Sequence, residues 1–257
     1  MFSSADAYER FMGRWSRALA PHFVRFAGVQ DGEAILDVGC GTGALTSAIA
    51  ATAPHGRIVG IDPSEPYVAF ARQELGGERI RFDVGTARQI PLDTAGVDRT
   101  LSMLIFNFVP EPEQAIAEMR RVTRPGGTIA AAVWDYSGGM QMLRAFWDEA
   151  VALAGPGAQD EGRMRFCRDG ELAAFWRAEG LDEVVGERLT IETPFSSFDD
   201  YWRPFLEKQG PAGAFVAALS DPDREALRAR LRRRLLGDGP DRPFVLTAMA
   251  WGARGRA

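Results

Sequence analysis

The residues best suited to chemistry lie in one stretch, Ile35-Leu36-Asp37-Val38-Gly39-Cys40-Gly41-Thr42-Gly43, and in an acid, Asp62, 19 residues after its last glycine. A short apolar run carries an acid near its end. Three glycines then alternate with small residues, and the apolar segment 44–50 follows at once. Glycines at 39, 41 and 43 let the backbone approach a ligand, because no Cβ intervenes. A helix that starts after them directs its free N–H groups at the same place. In nucleotide-binding βαβ units an acid placed like Asp62 accepts hydrogen bonds from ribose hydroxyls. The bland alternative is that Asp62-Pro63-Ser64 caps the next helix. The glycine pattern satisfies both G-x-G-x-G and the looser G-x-G-x-x-A of dinucleotide sites. Asp37 separates the two. Its carboxylate repels a pyrophosphate and attracts a ligand that carries an amino group and a sulfonium. A nicotinamide-dependent oxidoreductase is thereby disfavoured but stays as an alternative.

The elements that must position these residues follow from periodicity. Apolar, β-rich runs predict strands over 34–38, 57–61, 80–84, 97–103 and 128–134, with helices over 44–52, 66–75 and 112–122 between them. That alternation predicts an α/β fold, a doubly wound and mostly parallel sheet of seven strands with helices on both faces. Ligands of such sheets bind beyond the carboxyl ends of the strands, beside the first strand. The segments 37–43, 62, 85–87 and 102–107 all fall on that rim.

A helical stripe from Tyr8 to Phe26 precedes the core. It covers a sheet edge, or it is a lid that brings Tyr8, Phe11 and Arg14 to the ligand. After Trp134 the chain becomes aromatic-rich, with strands over 181–193 and 243–252. The whole reads as one domain: an N-terminal lid helix over 1–30, a ligand-binding core over 31–135, and the last strands with a helical cap (about 140–170 and 196–238) over 136–257. Asp221 is expected to cap a helix that has Pro222 at its first position. The arginines at 228, 230, 232, 233 and 234 surround a stripe of Leu227, Leu231 and Leu235 and read as a solvated face.

Composition narrows the function classes. The chain has 257 residues, is 46% hydrophobic and 25% charged, and carries a net charge of −5. An acidic balance argues against nucleic acid as the main partner. Two cysteines, Cys40 and Cys167, give neither a disulfide framework nor a metal motif, and two histidines, His22 and His55, make zinc improbable. No metal is expected. No apolar run reaches a membrane span, and the polar start of the chain does not read as a signal peptide. A cytoplasmic protein, monomer or homodimer, fits.

The stretch 35–43 resembles the first motif of the class I S-adenosylmethionine (SAM)-dependent methyltransferases. Gly60-Ile61-Asp62-Pro63-Ser64 resembles their second-strand acid motif. Val97-Asp98-Arg99-Thr100-Leu101-Ser102 is similar to their fourth-strand motif, and 118–127 to the helix and turn before the fifth strand. The likeness covers about 30–135. Segments 8–15 and 133–147 suggest small-molecule enzymes near the quinone-biosynthesis type.

The resemblance implies SAM as cofactor, S-adenosylhomocysteine as product, and a methyl group passed to a largely apolar or aromatic small molecule. Gly39, Cys40, Gly41 and Gly43 are then expected along the methionine part, and Asp37 at its amino end. Asp62 is expected on the ribose, Pro63, Thr86 and Ala87 beside the adenine, and Ser102 and Leu104 along the methionine. Tyr8 and Arg14 would close over the site, Arg14 on the carboxylate. Tyr8, Phe106, Asn107, Trp134, Tyr136, Tyr201 and Trp202 are expected around the acceptor.

Two departures matter. Thr86 stands where relatives often carry an Asp, and Asn107 stands where many carry a His near the transferring methyl. No general base stands out; Asn107, Tyr136 and Tyr201 are the weak catalytic candidates, with Asp135 beside them. A SAM-binding protein without catalysis, regulatory or vestigial, is the other alternative.

Overall fold

The structure is a computed structural model that describes residues 9–155 and 161–257; Tyr8 lies outside the described residues. The chain divides into two compact units. One comprises Ser16–Trp134, Arg165–Leu189 and Ala250–Ala257; the other comprises Met1–Trp15, Asp135–Met164 and Thr190–Met249, of which 1–8 and 156–160 are not described.

A π-helical turn, Glu9–Gly13, leads into helix α1 (Arg14–Ala27). The strands and helices then alternate: β1 (Ala34–Val38), α2 (Ala44–Thr52), β2 (Arg57–Asp62), α3 (Glu65–Leu75), β3 (Ile80–Val84), β4 (Val97–Met103), α4 (Pro112–Val122) and β5 (Thr123–Trp134). Next come α5 (Gln141–Ala154), α6 (Glu171–Ala178), β6 (Asp182–Phe195), α7 (Phe198–Trp202), α8 (Gly210–Ala218), α9 (Asp221–Leu236) and β7 (Phe244–Arg256).

The sheet has seven strands in the order β3-β2-β1-β4-β5-β7-β6. Pairs β1–β2, β1–β4, β2–β3 and β4–β5 are parallel, and β5–β7 is antiparallel. The doubly wound, mostly parallel fold expected from the alternation is the one observed. Because the chain leaves β1 for β2 on one side and returns to β4 on the other, the loops after β1, β2 and β4 open beside β1. That is the switch point where such sheets bind ligands.

Apolar periodicity explains the core. Ala115, Ile116, Met119 and Val122 form the buried face of α4. They pack with Leu36, Val38, Ile61, Ile129, Ala131 and Val133 of the strands and with Phe106, Leu172 and Trp176. Strands buried on both faces read as continuous apolar runs, and β5 shows this with eight buried residues from Gly127 to Trp134.

Several boundaries differ from expectation. Strand β5 begins at Thr123, not after the Pro125-Gly126-Gly127 turn, because the pairing with β4 shifts register there and absorbs the glycines as an irregularity. Helix α9 is capped by Ser220, whose hydroxyl accepts from the Asp223 amide; Asp221 is already the first helical residue.

The arginines of α9 are not a bare solvated face. Arg230 reaches Glu149 at 2.9 Å, Arg234 reaches Asp148 at 2.6 Å and Glu149 at 3.3 Å, and Arg228 reaches Asp199 at 3.3 Å. They lace α9 to α5 and α7 within their unit. The buried members of the leucine stripe are Leu227, Leu231 and Leu236, while Leu235 is half-buried.

Candidate functional site

The loop after β1 is built from backbone outward. Gly39, Gly41 and Gly43 have φ of +74°, +53° and +91°, values that side chains with a Cβ rarely adopt. Their surroundings differ. A Cβ on Gly39 would stand 2.5 Å from Ile105 Cγ1, so this glycine exists for internal packing. A Cβ on Gly41 would meet nothing within 4 Å: at this point the bare backbone faces open space.

The loop is tied down from β2. Gly39 and Cys40 donate to the Ile61 carbonyl at 2.8 and 2.9 Å. The Asp62 carboxylate accepts from Gly41 N at 3.1 Å and from Ser64 N at 2.9 Å. The cap position of α3 is Ser64, not Asp62, and no side chain caps that helix. Asp62 shapes the turn after β2, and its remaining lone pairs are left for hydroxyl donors.

Asp37 lies in register with Gly60 and Leu101 near the end of β1 and is 1% exposed. Its Oδ2 accepts from the Thr46 hydroxyl on α2 at 2.7 Å, and its Oδ1 has no hydrogen-bond partner. Burial pushes its carboxyl up to about 7, the Thr46 hydrogen bond opposing and the Asp62 charge adding to the rise. A buried carboxylate oxygen without a donor is costly unless a partner arrives. A cationic amino group is the partner that chemistry supplies best. The orphaned Oδ1 and the open cradle at Gly41 together fit the methionine end of SAM.

The rim also carries strain. Leu104, just past β4, has φ +67° and donates to the Ala132 carbonyl at 2.7 Å. A bulky residue there costs on the order of 1–3 kcal/mol, and the next residue, Ile105, closes on Gly39. Pro63 and Thr86 are exposed and Ala87 is half-buried, so all three are accessible on this edge.

Other expected site residues are placed differently. Ser102 is wholly buried inside β4, and its hydroxyl has no hydrogen-bond partner. Cys40 is buried, and burial with the Asp37 and Asp62 charges pushes its thiol far up, so it stays a neutral packing group. Arg14 is engaged within its own unit: it donates to Asp200 Oδ1 at 2.8 Å and stacks over the Trp15 ring at 4.1 Å. A role on a SAM carboxylate is not supported by that geometry. Phe106 is fully enclosed by Phe166, Phe175 and Trp176 and belongs to the core. Trp134, Tyr136 and Trp202 are buried as well.

Tyr201 is wholly buried and donates its hydroxyl to the Met142 carbonyl at 2.9 Å, and burial drives its pKa upward, which favours the neutral phenol. Asp135 spends Oδ1 on the turn amides of Ser137 and Gly138. Asn107, half-buried in the short helix after β4, is the one catalytic candidate still beside the rim.

Sequence reasoning assigned no role to Thr46, Ile105 or Gly60. Thr46 was legible in one respect: with Ser47 it is one of two hydroxyls in the first turn of α2. Gly60 is needed because a Cβ there would meet the Phe82 ring at 2.6 Å, which only packing reveals.

Residues 36–131 match the family described as a methyltransferase domain. The chain is 36% identical over 212 residues to a 37.1 kDa protein of transposon TN4556 from Streptomyces fradiae, covering 74% of this chain and 61% of that one. It is 29% identical over 161 residues to a ubiquinone biosynthesis O-methyltransferase of Aromatoleum aromaticum, covering 60% and 67%. It is 38% identical over 100 residues to a demethylmenaquinone methyltransferase of Clavibacter sepedonicus, covering 38% and 40%. The chain thus spans between 40% and 67% of the length of these curated relatives.

Among solved structures, a protein of Anaeromyxobacter dehalogenans assigned to the type II methyltransferases superposes with a TM-score of 0.65 at 22% identity, over 92% of this chain and 95% of that one. The [4+2]-cyclase SpnF superposes with a TM-score of 0.57 at 20% identity, over 93% and 81%. At such identities the likeness is one of fold. With the glycine rim, the strand order and the matching family model in place, residues 36–131 are a methyltransferase domain of the class I, S-adenosylmethionine-dependent kind.

Proposed function

We propose that this protein uses SAM to methylate a largely apolar or aromatic small molecule. The observation that carries the reading is the buried Asp37 carboxylate, one oxygen of which lacks a donor beside a glycine loop open to a ligand. When bound, SAM supplies an electrophilic methyl on a sulfonium. The chain's own residues bind and orient. Asp37 holds an ammonium, Gly41 admits the ligand close to the backbone, and Asp62 receives hydroxyls. Thr86 offers a hydroxyl beside the base, where relatives use a carboxylate.

The relatives' names, ubiquinone and demethylmenaquinone methyltransferases, support an aromatic acceptor. Tyr201 and Asp135 are committed elsewhere. The acceptor therefore brings its own nucleophile, such as an ionised phenol or carboxylate or a stabilised carbanion, and the protein contributes position and a dry pocket. Among the described residues no helix is long and apolar enough to cross a membrane.

The test is to incubate the purified protein with SAM and a panel of hydroquinones, phenols and carboxylic acids and to follow S-adenosylhomocysteine. Turnover with the aromatic members is expected. SAM binding without turnover on any member would favour a non-catalytic binder, and NADH binding without SAM binding would end the proposal.

A further inference from the structure

The loop's acid is steered by a residue that no motif singles out. Thr46 has no exposure and sits in the first turn of α2, where its Oγ1 donates to Asp37 Oδ2 at 2.7 Å. The donor reaches one carboxylate oxygen and leaves the other without a partner. Ser and Thr hydroxyls in a helix usually bond back to the chain's own carbonyls. This one spends its proton on a strand residue 9 positions earlier.

We propose that Thr46 is a positioning residue, whose hydroxyl fixes the Asp37 carboxylate so that Oδ1 is presented to a ligand's ammonium and favours its ionised form. The inference rests on the SAM-binding reading above.

The charged and titratable groups around Asp37 are few. Asp62, from the end of β2, raises the Asp37 pKa, and the Cys40 thiol is neutral. Helix α2 carries no charged residue. On β4, Asp98 and Arg99 are drawn off, Asp98 to the Ala34 amide and Arg99 to Glu33. Among the described residues, Thr46 is therefore the one neighbour that donates to this carboxylate and lowers its pKa.

The sign of the consequence is fixed. An ammonium pairs with the ionised acid, so affinity falls as pH drops through the folded-state value near 7. Binding below that value releases a proton.

The experiment is calorimetric titration of S-adenosylhomocysteine, between about pH 5.5 and about pH 9, in buffers of different ionisation enthalpy. For the unaltered protein the Kd is expected to weaken about tenfold per unit below about pH 7. In Thr46→Val the midpoint moves up by about one unit, which weakens binding at neutral pH by up to about tenfold. Thr46→Ser keeps the original midpoint, and Asp37→Asn abolishes the pH dependence.

A midpoint unmoved in Thr46→Val, or kept in Asp37→Asn, overturns the inference, whatever happens to the absolute affinity. If Thr46→Val does not fold, Thr46→Ala deletes the same hydroxyl and is read the same way. Absence of S-adenosylhomocysteine binding to the unaltered protein at every pH would instead overturn the methyltransferase reading itself.

Discussion

The strand rim around β1 and the aromatic unit that follows Trp134 differ in what surrounds their most reactive side chains. In the aromatic unit Tyr201, Trp147 and Arg14 each reach a partner, although Trp15 Nε1 and Thr193 Oγ1 are buried without one. Tyr201 ends on the Met142 carbonyl, Trp147 Nε1 donates to Glu161 at 2.7 Å, and Arg14 ends on Asp200. Their rings are packed as well, with Phe146 and Phe205 stacked at 4.5 Å and Trp15 edge-on to Phe195 at 5.3 Å. On the rim, a carboxylate oxygen is left over, a leucine sits at φ +67°, and a glycine faces space. What sets the rim apart is the coincidence of an unpartnered charge, strained backbone and an open glycine turn, which together mark where a ligand completes the structure.

Substitutions on either side can break that contrast. The largest effect is expected at Asp37. Asp37→Asn should weaken S-adenosylhomocysteine binding about 100-fold, because the ammonium loses its charged partner. The same change should raise the melting temperature of the ligand-free protein near pH 8, where the native state otherwise holds a desolvated charge. An acid whose folded pKa is raised loses native stability as pH climbs from about 4 to about 7. The gain from Asp37→Asn should therefore shrink as the pH is lowered. Calorimetry and thermal melts in one buffer series check both halves, and unchanged affinity would erase the distinction between rim and core.

A smaller and opposite effect is expected at Tyr201. Tyr201→Phe removes the second donor of the Met142 carbonyl, which helix α5 still satisfies from within, and should cost about 0.5–1.5 kcal/mol in denaturant unfolding. Ligand affinity should stay within about twofold. A marked loss of affinity at full stability would return Tyr201 to the site. The smallest effect belongs to the exposed lacing of α9. Arg234→Gln removes contacts to Asp148 and Glu149 at a partly exposed position and should cost at most about 1 kcal/mol, less in high salt.

The comparison also explains how much could be read without coordinates. The rim was legible because its requirements are local. Positive φ demands glycine, a strand end places Asp37, and a fixed spacing places Asp62 beside the same turn. The aromatic bets were not, because a ring's fate depends on what packs against it. Phe106 reads as a rim residue from its place after β4, yet Phe166, Phe175 and Trp176, some 60 to 70 positions later, enclose it. Arg14 reads as a free cation until Asp200, 186 positions away, takes it.

What the sequence alone determined is the strand–helix alternation, the glycine turn and the two acids, all products of short-range backbone and periodicity constraints. The tertiary structure alone decided which oxygen of Asp37 is held by Thr46 and which is free, which glycine faces open space, and which aromatics are sealed. Those outcomes depend on contacts between elements distant in the chain, which no local pattern encodes.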